Sequence, residues 1–153
     1  MGKESLKLAR VLGAHSLVAI DTPVFIYHFE AHPRYKALTT QIFKSVETGD
    51  CKAVTSTLAR LELLVRPLKE QRADIADSYR FMLDTFPNLL QVDIDKRVAD
   101  SAADFRAGTG LSTPDSLHIA CAMVAGATLF ITNDSDFKME FDELQIILLD
   151  ELI

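Results

Sequence analysis

Short apolar runs alternate with longer amphipathic stretches along the chain. The runs at residues 17–20, 53–55 and 129–131 are typical of strands that are buried on both faces of a sheet. Residues 90–94 alternate apolar and polar side chains, and residues 146–149 form a further apolar run. Strands that alternate with helices favour crossover connections between parallel strands. The pattern therefore predicts an α/β domain whose mainly parallel sheet is covered on both faces.

Capping residues and prolines predict where the helices between these strands begin. Thr22 and Thr113 each precede a proline, which predicts an N-cap followed by proline at the first helical position. Ser56 or Thr57 is expected to cap another helix, and Pro67 is expected to end it. The other predicted helices span roughly residues 34–48, ending at Gly49, then 70–86, with Ile75, Tyr79, Met82, Leu83 and Phe86 facing inward, and 95–107, ending at Gly108. The helix that begins near Pro114 is expected to run to Gly126, and Leu6, Leu8, Val11 and Leu12 predict a short helix within residues 1–16.

The composition is that of one globular domain spanning residues 1–153. Apolar residues make up 48% of the 153 and charged residues 25%, which excludes a disordered chain or a disulfide-rich miniprotein. Cys51 and Cys121 are the only cysteines, too few for a cysteine-based zinc site. No apolar run reaches the roughly 18 residues that a membrane span needs. A cytoplasmic protein without membrane contact is therefore expected.

The net charge of −6 argues against a protein that holds nucleic acid by overall electrostatic attraction. It leaves open a nuclease whose acidic site first binds metal ions. The charge is also segregated, because residues 52–72 carry a net charge of +3 and residues 133–151 a net charge of −6. Arg60, Arg66 and Lys69 in the basic segment are candidate contacts for an RNA backbone, and a solvated helix face is the alternative.

Acidic residues directly follow two of the predicted strands. Asp21 comes after residues 17–20, and Asp134 and Asp136 come just after residues 129–131. Ligands of parallel α/β sheets bind beyond the carboxyl ends of the strands, so these side chains are expected at one edge of the sheet. The alternative is that aspartate is simply favoured in turns.

Asp115 lies in the first turn of a predicted helix that is apolar nearly all round. An acid at this position stabilises the helix dipole by roughly 0.3–1 kcal/mol, which is the alternative to a functional role. However, an all-apolar helix is packed into the interior, so its N-terminus is expected at an edge of the sheet. His118 follows three residues later on the same side and is expected to be a packed, hydrogen-bonded histidine rather than a catalytic one.

Glu62 is expected at the margin of the buried face of its helix. The predicted core-facing stripe of this helix consists of Leu58, Leu61 and Val65. A charge at that margin is costly unless it is paired or bound to a cation. The alternative is an exposed ion pair with Arg66, four residues on. In this arrangement Leu63 points away from the stripe, which suggests a subunit contact.

The chemistry that these residues allow is narrow. Carboxylate ligands suit Mg²⁺ or Mn²⁺, and the four histidines lack the spacing of a zinc site. The sequence contains no phosphate-binding glycine-rich loop and no serine-hydrolase motif. Because divalent metal can activate water for displacement at phosphorus, phosphodiester hydrolysis is the expected reaction class.

Four segments carry a resemblance to a known family. They are residues 20–27 (IDTPVFIY), 57–64 (TLARLELL), 111–120 (LSTPDSLHIA) and 131–137 (ITNDSDF). In this order they resemble the PIN-domain ribonucleases, and among these the VapC toxins of bacterial toxin–antitoxin pairs. One departure is Pro23, at a position where such proteins often have Asn or Ser.

The resemblance implies a fold, a site and partners. The implied fold is a three-layer α/β/α sandwich, and the implied reaction is endonucleolytic cleavage of RNA. Asp21, Glu62, Asp115 and Asp134 would hold Mg²⁺ or Mn²⁺, with Thr132 and Asp136 supporting them. A small antitoxin and a second copy of the chain are the implied partners. A housekeeping RNA-processing nuclease and a catalytically silent PIN-fold binding module remain the alternatives.

Overall fold

A computed structural model describes residues 2–153, which form one five-stranded sheet with helices on both faces. The strands are β1 (Leu17–Ile20), β2 (Lys52–Ser56), β3 (Leu89–Val92), β4 (Leu129–Thr132) and β5 (Gln145–Leu148). The α-helices are α1 (Lys3–Gly13), α2 (Thr22–Phe29), α3 (Lys36–Glu47), α4 (Thr57–Lys69), α5 (Ala73–Thr85), α6 (Lys96–Thr109) and α7 (Thr113–Ala125). Two 3₁₀ turns follow β4 and β5, at Ser135–Phe137 and Leu149–Leu152.

The strand order is β3-β2-β1-β4-β5, and all neighbouring strands are parallel. The predicted fold class, a three-layer α/β/α sandwich with a parallel central sheet, is therefore confirmed. Val18 and Ile20 of β1 pack in the core formed with α1 to α5, whereas Ala19 faces a core that includes Ile119 of α7. This alternation explains why β1 is apolar along its whole length. No helix within residues 2–153 has the length and apolar character needed to cross a membrane.

Several helix ends differ from the predicted ones by one to three residues. Asp21 and Ser112 are the N-caps of α2 and α7, so Thr22 and Thr113 lie one position inside their helices. In both helices the proline consequently occupies the second helical position. Gly108 lies within α6, and Gly110, at φ +75°, ends that helix because glycine adopts the left-handed conformation without strain.

Pro67 does not end α4, and the predicted core face of this helix is wrong. Helix α4 continues through Pro67 to Lys69. Proline has no backbone N–H, but Pro67 lies in the last turn, so the helix loses little hydrogen bonding. Its buried side chains are Ala59, Leu63 and Pro67, so Leu63 belongs to the core and does not point outward. Leu61 and Val65 are instead 57% and 51% exposed, and Leu58 is partly buried. Ser56 ends β2 and also caps α4, so the end of the strand fixes where the helix begins and which of its faces is turned to the core.

Ile75, which was expected to face inward, is exposed, and so are Leu90 and Ile94 of the alternating segment. Ile75 lies in the first turn of α5, Leu90 lies in β3 and Ile94 lies just after β3. Strand β3 is the edge strand of the sheet, so one of its sides has no neighbouring strand to cover it. Leu6 of α1 is also exposed, whereas Leu8 and Leu12 are buried as predicted.

Candidate metal centre

The carboxyl ends of three neighbouring strands place polar side chains at one edge of the sheet. Asp21 follows β1, Ser56 ends β2 and Thr132 ends β4. Because β1 lies between β2 and β4, these three positions are adjacent. Helices α2 and α4 begin directly from the first two of these strand ends, and α7 brings Asp115 and His118 to the same site.

Asp21 is buried and its carboxylate is held by two hydrogen bonds. It is 5% exposed, and its Oδ1 accepts from the backbone N–H of Thr22 at 2.9 Å. Its Oδ2 accepts from Oγ1 of Thr132 at 2.8 Å, and that hydroxyl in turn accepts from the backbone N–H of Asp134 at 3.1 Å. Two successive hydrogen bonds therefore connect the Asp21 carboxylate to the backbone of Asp134, 113 positions further along the sequence.

Glu62 faces the same site. Its Oε1 accepts from Oγ1 of Thr22 at 2.8 Å and lies 2.7 Å from Nε2 of His118. Arg66 instead pairs with Glu70 at 3.1 Å and with Glu30 at 3.6 Å. The alternative interpretation, an ion pair between Glu62 and Arg66, is therefore wrong.

His118 is packed and hydrogen-bonded as predicted, but its partners belong to the candidate site. It is 6% exposed, with Nδ1 at 2.9 Å from Oγ of Ser56. Its Nε2 also lies 3.9 Å from Oδ1 of Asp21, besides its hydrogen bond to Glu62. The ring thus stands between two of the predicted metal ligands. The signal in the sequence is its position three residues after Asp115, which places both side chains on the same side of α7.

Asp115, Asp134 and Asp136 form a second group of acids in the site. One carboxylate oxygen from each lies within 4.8 Å of the others, close enough to bind a single ion. Oδ1 of Asp134 also accepts from the backbone N–H of Asp136 at 2.9 Å. The structure thus groups Asp136 directly with Asp115 and Asp134, a closer association than the supporting position expected from the sequence. Thr132 joins this group to Asp21.

Burial and neighbouring charges shift the pKa values in this site. Burial raises the pKa of Asp21 and of Asp115, and the charges of Asp134 and Asp136 raise that of Asp115 further. Burial also acts to raise the pKa of Glu62, but its hydrogen bonds with His118 and Thr22 outweigh this effect and lower it. For His118, burial acts to lower the pKa, whereas Glu62 and the charges of Asp21 and Asp115 raise it overall. The site therefore concentrates negative charge around one imidazole.

These residues fit a hard divalent cation. Within residues 2–153, none of the five acids forms an ion pair with a lysine or arginine, and the one basic side chain beside them is His118, which pairs with Asp21 and Glu62 but not with Asp115, Asp134 or Asp136. A buried carboxylate beside further carboxylates is costly unless a cation compensates the charge. The available ligand atoms are carboxylate and hydroxyl oxygens, which Mg²⁺ and Mn²⁺ prefer.

The three basic residues proposed as RNA contacts lie on α4. Arg60 binds Asp84 at 2.7 Å and also donates to Gln91, and Arg66 is engaged by Glu30 and Glu70. Lys69 is exposed at the end of the helix. Their contact with RNA stays a prediction, since two of the three already have carboxylate partners.

Several solved structures share this fold. A toxin–antitoxin complex from Klebsiella pneumoniae matches with a TM-score of 0.65 and 17% identity, over 86% of this chain and 97% of that chain. The VapBC2 complex from Rickettsia felis, bound to a DNA fragment from its promoter, matches with a TM-score of 0.69 and 15% identity, over 86% and 98%. The DNA-bound VapBC of Salmonella typhimurium matches with a TM-score of 0.64 and 16% identity, over 86% and 97%.

Sequence similarity identifies the family more specifically than the shared fold does. No curated protein matches this sequence. The model of the PIN domain matches residues 18–139, a range that begins in β1 and includes Asp21, Glu62, Asp115 and Asp134. The chain therefore belongs to the PIN domain family.

Proposed function

We propose that this protein is a metal-dependent endoribonuclease that hydrolyses RNA phosphodiester bonds. The observation that carries the proposal is the presence of two acidic groups at one edge of the sheet, namely Asp21 with Glu62, and Asp115 with Asp134 and Asp136, which Thr132 and His118 connect. Asp21 is linked to Asp134 through Thr132, and His118 contacts both Glu62 and Asp21. Asp115 completes the set through its grouping with Asp134. In the proposal, these four carboxylates hold Mg²⁺ or Mn²⁺.

A bound divalent ion would supply an activated water molecule and stabilise the charge that develops at phosphorus. The residues of the chain would prepare the site before substrate arrives. Thr132 and the Thr22 N–H fix both oxygens of Asp21, and Thr22 and His118 fix Glu62. Outer hydrogen-bond partners of this kind orient metal ligands. The N-termini of α2, α4 and α7 lie at the same edge and favour negative charge there.

The first prediction is that Asp21→Asn or Asp115→Asn abolishes Mn²⁺-dependent cleavage of RNA. Each change removes a charged ligand but keeps the size of the side chain. We expect a loss of more than about 100-fold, since even the outer partners of metal ligands contribute 10–100-fold. The measurement is cleavage of total RNA with added Mn²⁺, together with a thermal melt that verifies folding.

The matched control is Asp77→Asn, which changes an exposed acid of α5 that pairs with Arg80. This variant is expected to cleave as the wild type does. Undiminished cleavage by purified Asp21→Asn protein would show that the assigned site is wrong.

We also propose that the protein acts as the toxin of a toxin–antitoxin pair, because a toxin–antitoxin complex and two VapBC structures are among the solved structures that share its fold. A groove of about 360 Å³ between α2, α4 and α5 supports an antitoxin partner. Its apolar lining consists of Ile26, Phe29, Leu63, Pro67, Ile75 and Tyr79, and Glu62 forms part of its wall. An apolar segment seated in this groove would reach the acidic site.

A housekeeping role in RNA processing is the competing function on the same scaffold. Growth arrest on expression, relieved by the product of a small neighbouring reading frame, would favour the toxin. Absence of both effects would favour RNA processing. A silent binding module would be favoured if isothermal titration detected no Mn²⁺ binding at millimolar concentration, but the presence of all four carboxylates argues against it.

A further inference from the structure

Side chains between α2 and α3 are connected to the loop that carries Asp134. The backbone N–H of Asp150 donates to Oδ1 of Asn133 at 2.9 Å, and Oδ1 of Asp150 accepts from the Tyr35 hydroxyl at 2.7 Å. The same oxygen accepts from Nε of Arg34 at 3.3 Å. Because Asn133 lies directly before Asp134, these bonds connect the Arg34 side chain, through Asp150, to the residue next to a proposed metal ligand.

The guanidinium of Arg34 is fixed but still able to bind an anion. Within residues 2–153, its Nε donates to Asp150 and the side chain also meets the Tyr35 hydroxyl, whereas neither Nη group is hydrogen-bonded to a carboxylate. The side chain is 55% exposed, and the guanidinium lies 5.8 Å from the ring centre of Tyr35. Planar guanidinium groups with free N–H donors are well suited to phosphate oxygens.

Aromatic rings lie beside this guanidinium. Tyr27 stacks on the buried Tyr35 with ring centres 4.4 Å apart, and His32 meets the edge of Tyr27 at 5.2 Å. Tyr27 and His32 are both partly exposed. Rings held in this way provide a surface on which an unpaired base can stack.

The charge distribution of the protein leaves few cations that could bind a phosphate group near the acidic site. The acidic site repels phosphate groups, and the protein as a whole has a net charge of −6. Arg60 and Arg66 are already bound to Asp84 and Glu70 respectively. Arg34 also pairs with an acid, Asp150, but only through Nε, so its Nη groups face no carboxylate and are the donors available for a phosphate group.

We infer that Arg34, Tyr27 and His32 bind the single-stranded RNA next to the bond that is cut. Arg34 contacts one backbone phosphate, and the rings of Tyr27 and His32 stack with one base. This inference rests on the proposed function, because it assigns the substrate of the same site. It places the RNA across α2 and the start of α3, on the side of β4 and β5.

The test measures binding of a fluorescent single-stranded RNA pool at several salt concentrations with Mg²⁺ present. Every protein carries Asp115→Asn to prevent cleavage. Arg34→Gln is expected to weaken binding about tenfold and to reduce the slope of log K against log salt by about 0.7, the value for one phosphate contact on a single strand. Tyr27→Leu is expected to weaken binding to a similar extent without changing the slope, because stacking on a ring releases no counterion.

Arg72→Gln is the matched control. Arg72 is also 55% exposed and pairs with an aspartate, Asp74, at 3.0 Å. It lies after α4, which runs away from the site for 13 residues, or about 20 Å. This variant is expected to leave both affinity and slope unchanged. Thermal melts and Mn²⁺ titration of the variants in the otherwise unchanged protein verify that fold and metal site are intact.

Two outcomes would overturn the inference. Unchanged affinity and slope for Arg34→Gln, with both reduced for Arg66→Gln, would place the RNA along α4. Unchanged RNA binding by both Arg34→Gln and Tyr27→Leu would show that Arg34, Tyr27 and His32 do not bind RNA, and would favour a protein partner at this surface. Failure of the proposed function is detected separately, since in that case the wild-type protein cleaves no RNA with Mn²⁺.

Discussion

At the scale of single residues, His118 shows how a buried side chain organises this site. Its two nitrogens contact Ser56 and Glu62, so the ring connects the end of β2 to a proposed metal ligand. Each partner is also fixed by another bond, Ser56 by the N–H of Ala59 and Glu62 by Thr22. The orientation of Glu62 therefore depends on a residue that need not touch metal or substrate.

We predict that His118→Ala weakens Mn²⁺ binding by about 10–100-fold, because Glu62 loses the partner that orients it. His118→Gln keeps a donor on a side chain of similar length and is expected to recover part of this affinity. Isothermal titration calorimetry measures both variants alongside the wild type. Wild-type affinity in the alanine variant would show that His118 serves packing alone.

At the scale of elements, the site is built from helix starts. Helices α2, α4 and α7 all begin at the carboxyl edge of the sheet, and their N-caps are Asp21, Ser56 and Ser112. Asp21 and Ser56 thus both cap a helix and hold the site, since Asp21 is a proposed ligand and Ser56 contacts His118. Sequence patterns located these helix starts to within one residue, but did not show that the caps share one pocket.

The packing of α2 against α3 predicts a pH dependence of stability that is independent of the metal site. Burial of His28, together with the charge of Lys36, lowers the pKa of this imidazole from 6.5 to about 4. The folded protein therefore keeps His28 neutral between these values, whereas the unfolded chain takes up a proton below about pH 6.5. Because the unfolded state binds more protons in this window, the free energy of unfolding falls as the pH is lowered from 6.5 towards 4.

Urea unfolding of the wild type and of His28→Gln at pH 7 and pH 5 measures this contribution. The wild type is expected to lose more stability than the variant over this interval, because other titrating groups are common to both proteins. Equal losses would mean that His28 is protonated equally in the folded and unfolded states.

At the scale of the whole molecule, the strand order determines where the site lies. Strand β1 is central and pairs with β2 on one side and β4 on the other. The chain thus builds the sheet outward in both directions from β1, which creates a crevice beyond its carboxyl end. Asp21 occupies that position, so the residue nearest the crevice is also the most buried of the proposed ligands.

The homodimer implied by the family resemblance stays a prediction. An exposed apolar stripe on α4 is the candidate for the contact between its two copies. Leu61, Val65 and Leu68 are each about half exposed and recur at intervals of four and three residues, opposite the buried face of the helix. An interval pattern of this kind is typical of a helix that pairs with another helix. We predict that this stripe is the contact between two copies.

The double change Leu61→Glu and Leu68→Glu is expected to convert the dimer to a monomer, because it introduces charges into the apolar contact. Sedimentation velocity measures the result. Leu90→Lys, at an exposed apolar position of the edge strand β3, is the control and is expected to leave the dimer intact. A wild-type protein that sediments as a monomer would contradict the predicted dimer, and a charged variant that stays dimeric would exclude this stripe.

The sequence by itself determined the class of fold and the candidate acids. Apolar runs of three or four residues, separated by helical periodicity, are sufficient to predict parallel strands, because both faces of such strands are buried whatever packs on them. Asp21 and Asp134 follow directly from the ends of two of those runs. These features depend on neighbouring residues along the chain.

Tertiary structure alone decided which face of α4 is buried and which partners the acids have. Apolar residues surround much of α4, so only its close packing selected Ala59, Leu63 and Pro67 over Leu61 and Val65. The bond from Thr132 to Asp21 joins residues 111 positions apart, and the bond from His118 to Glu62 joins residues 56 apart. Local patterns carry no information on such contacts, because they arise when separate strand and helix ends meet at one edge of the sheet.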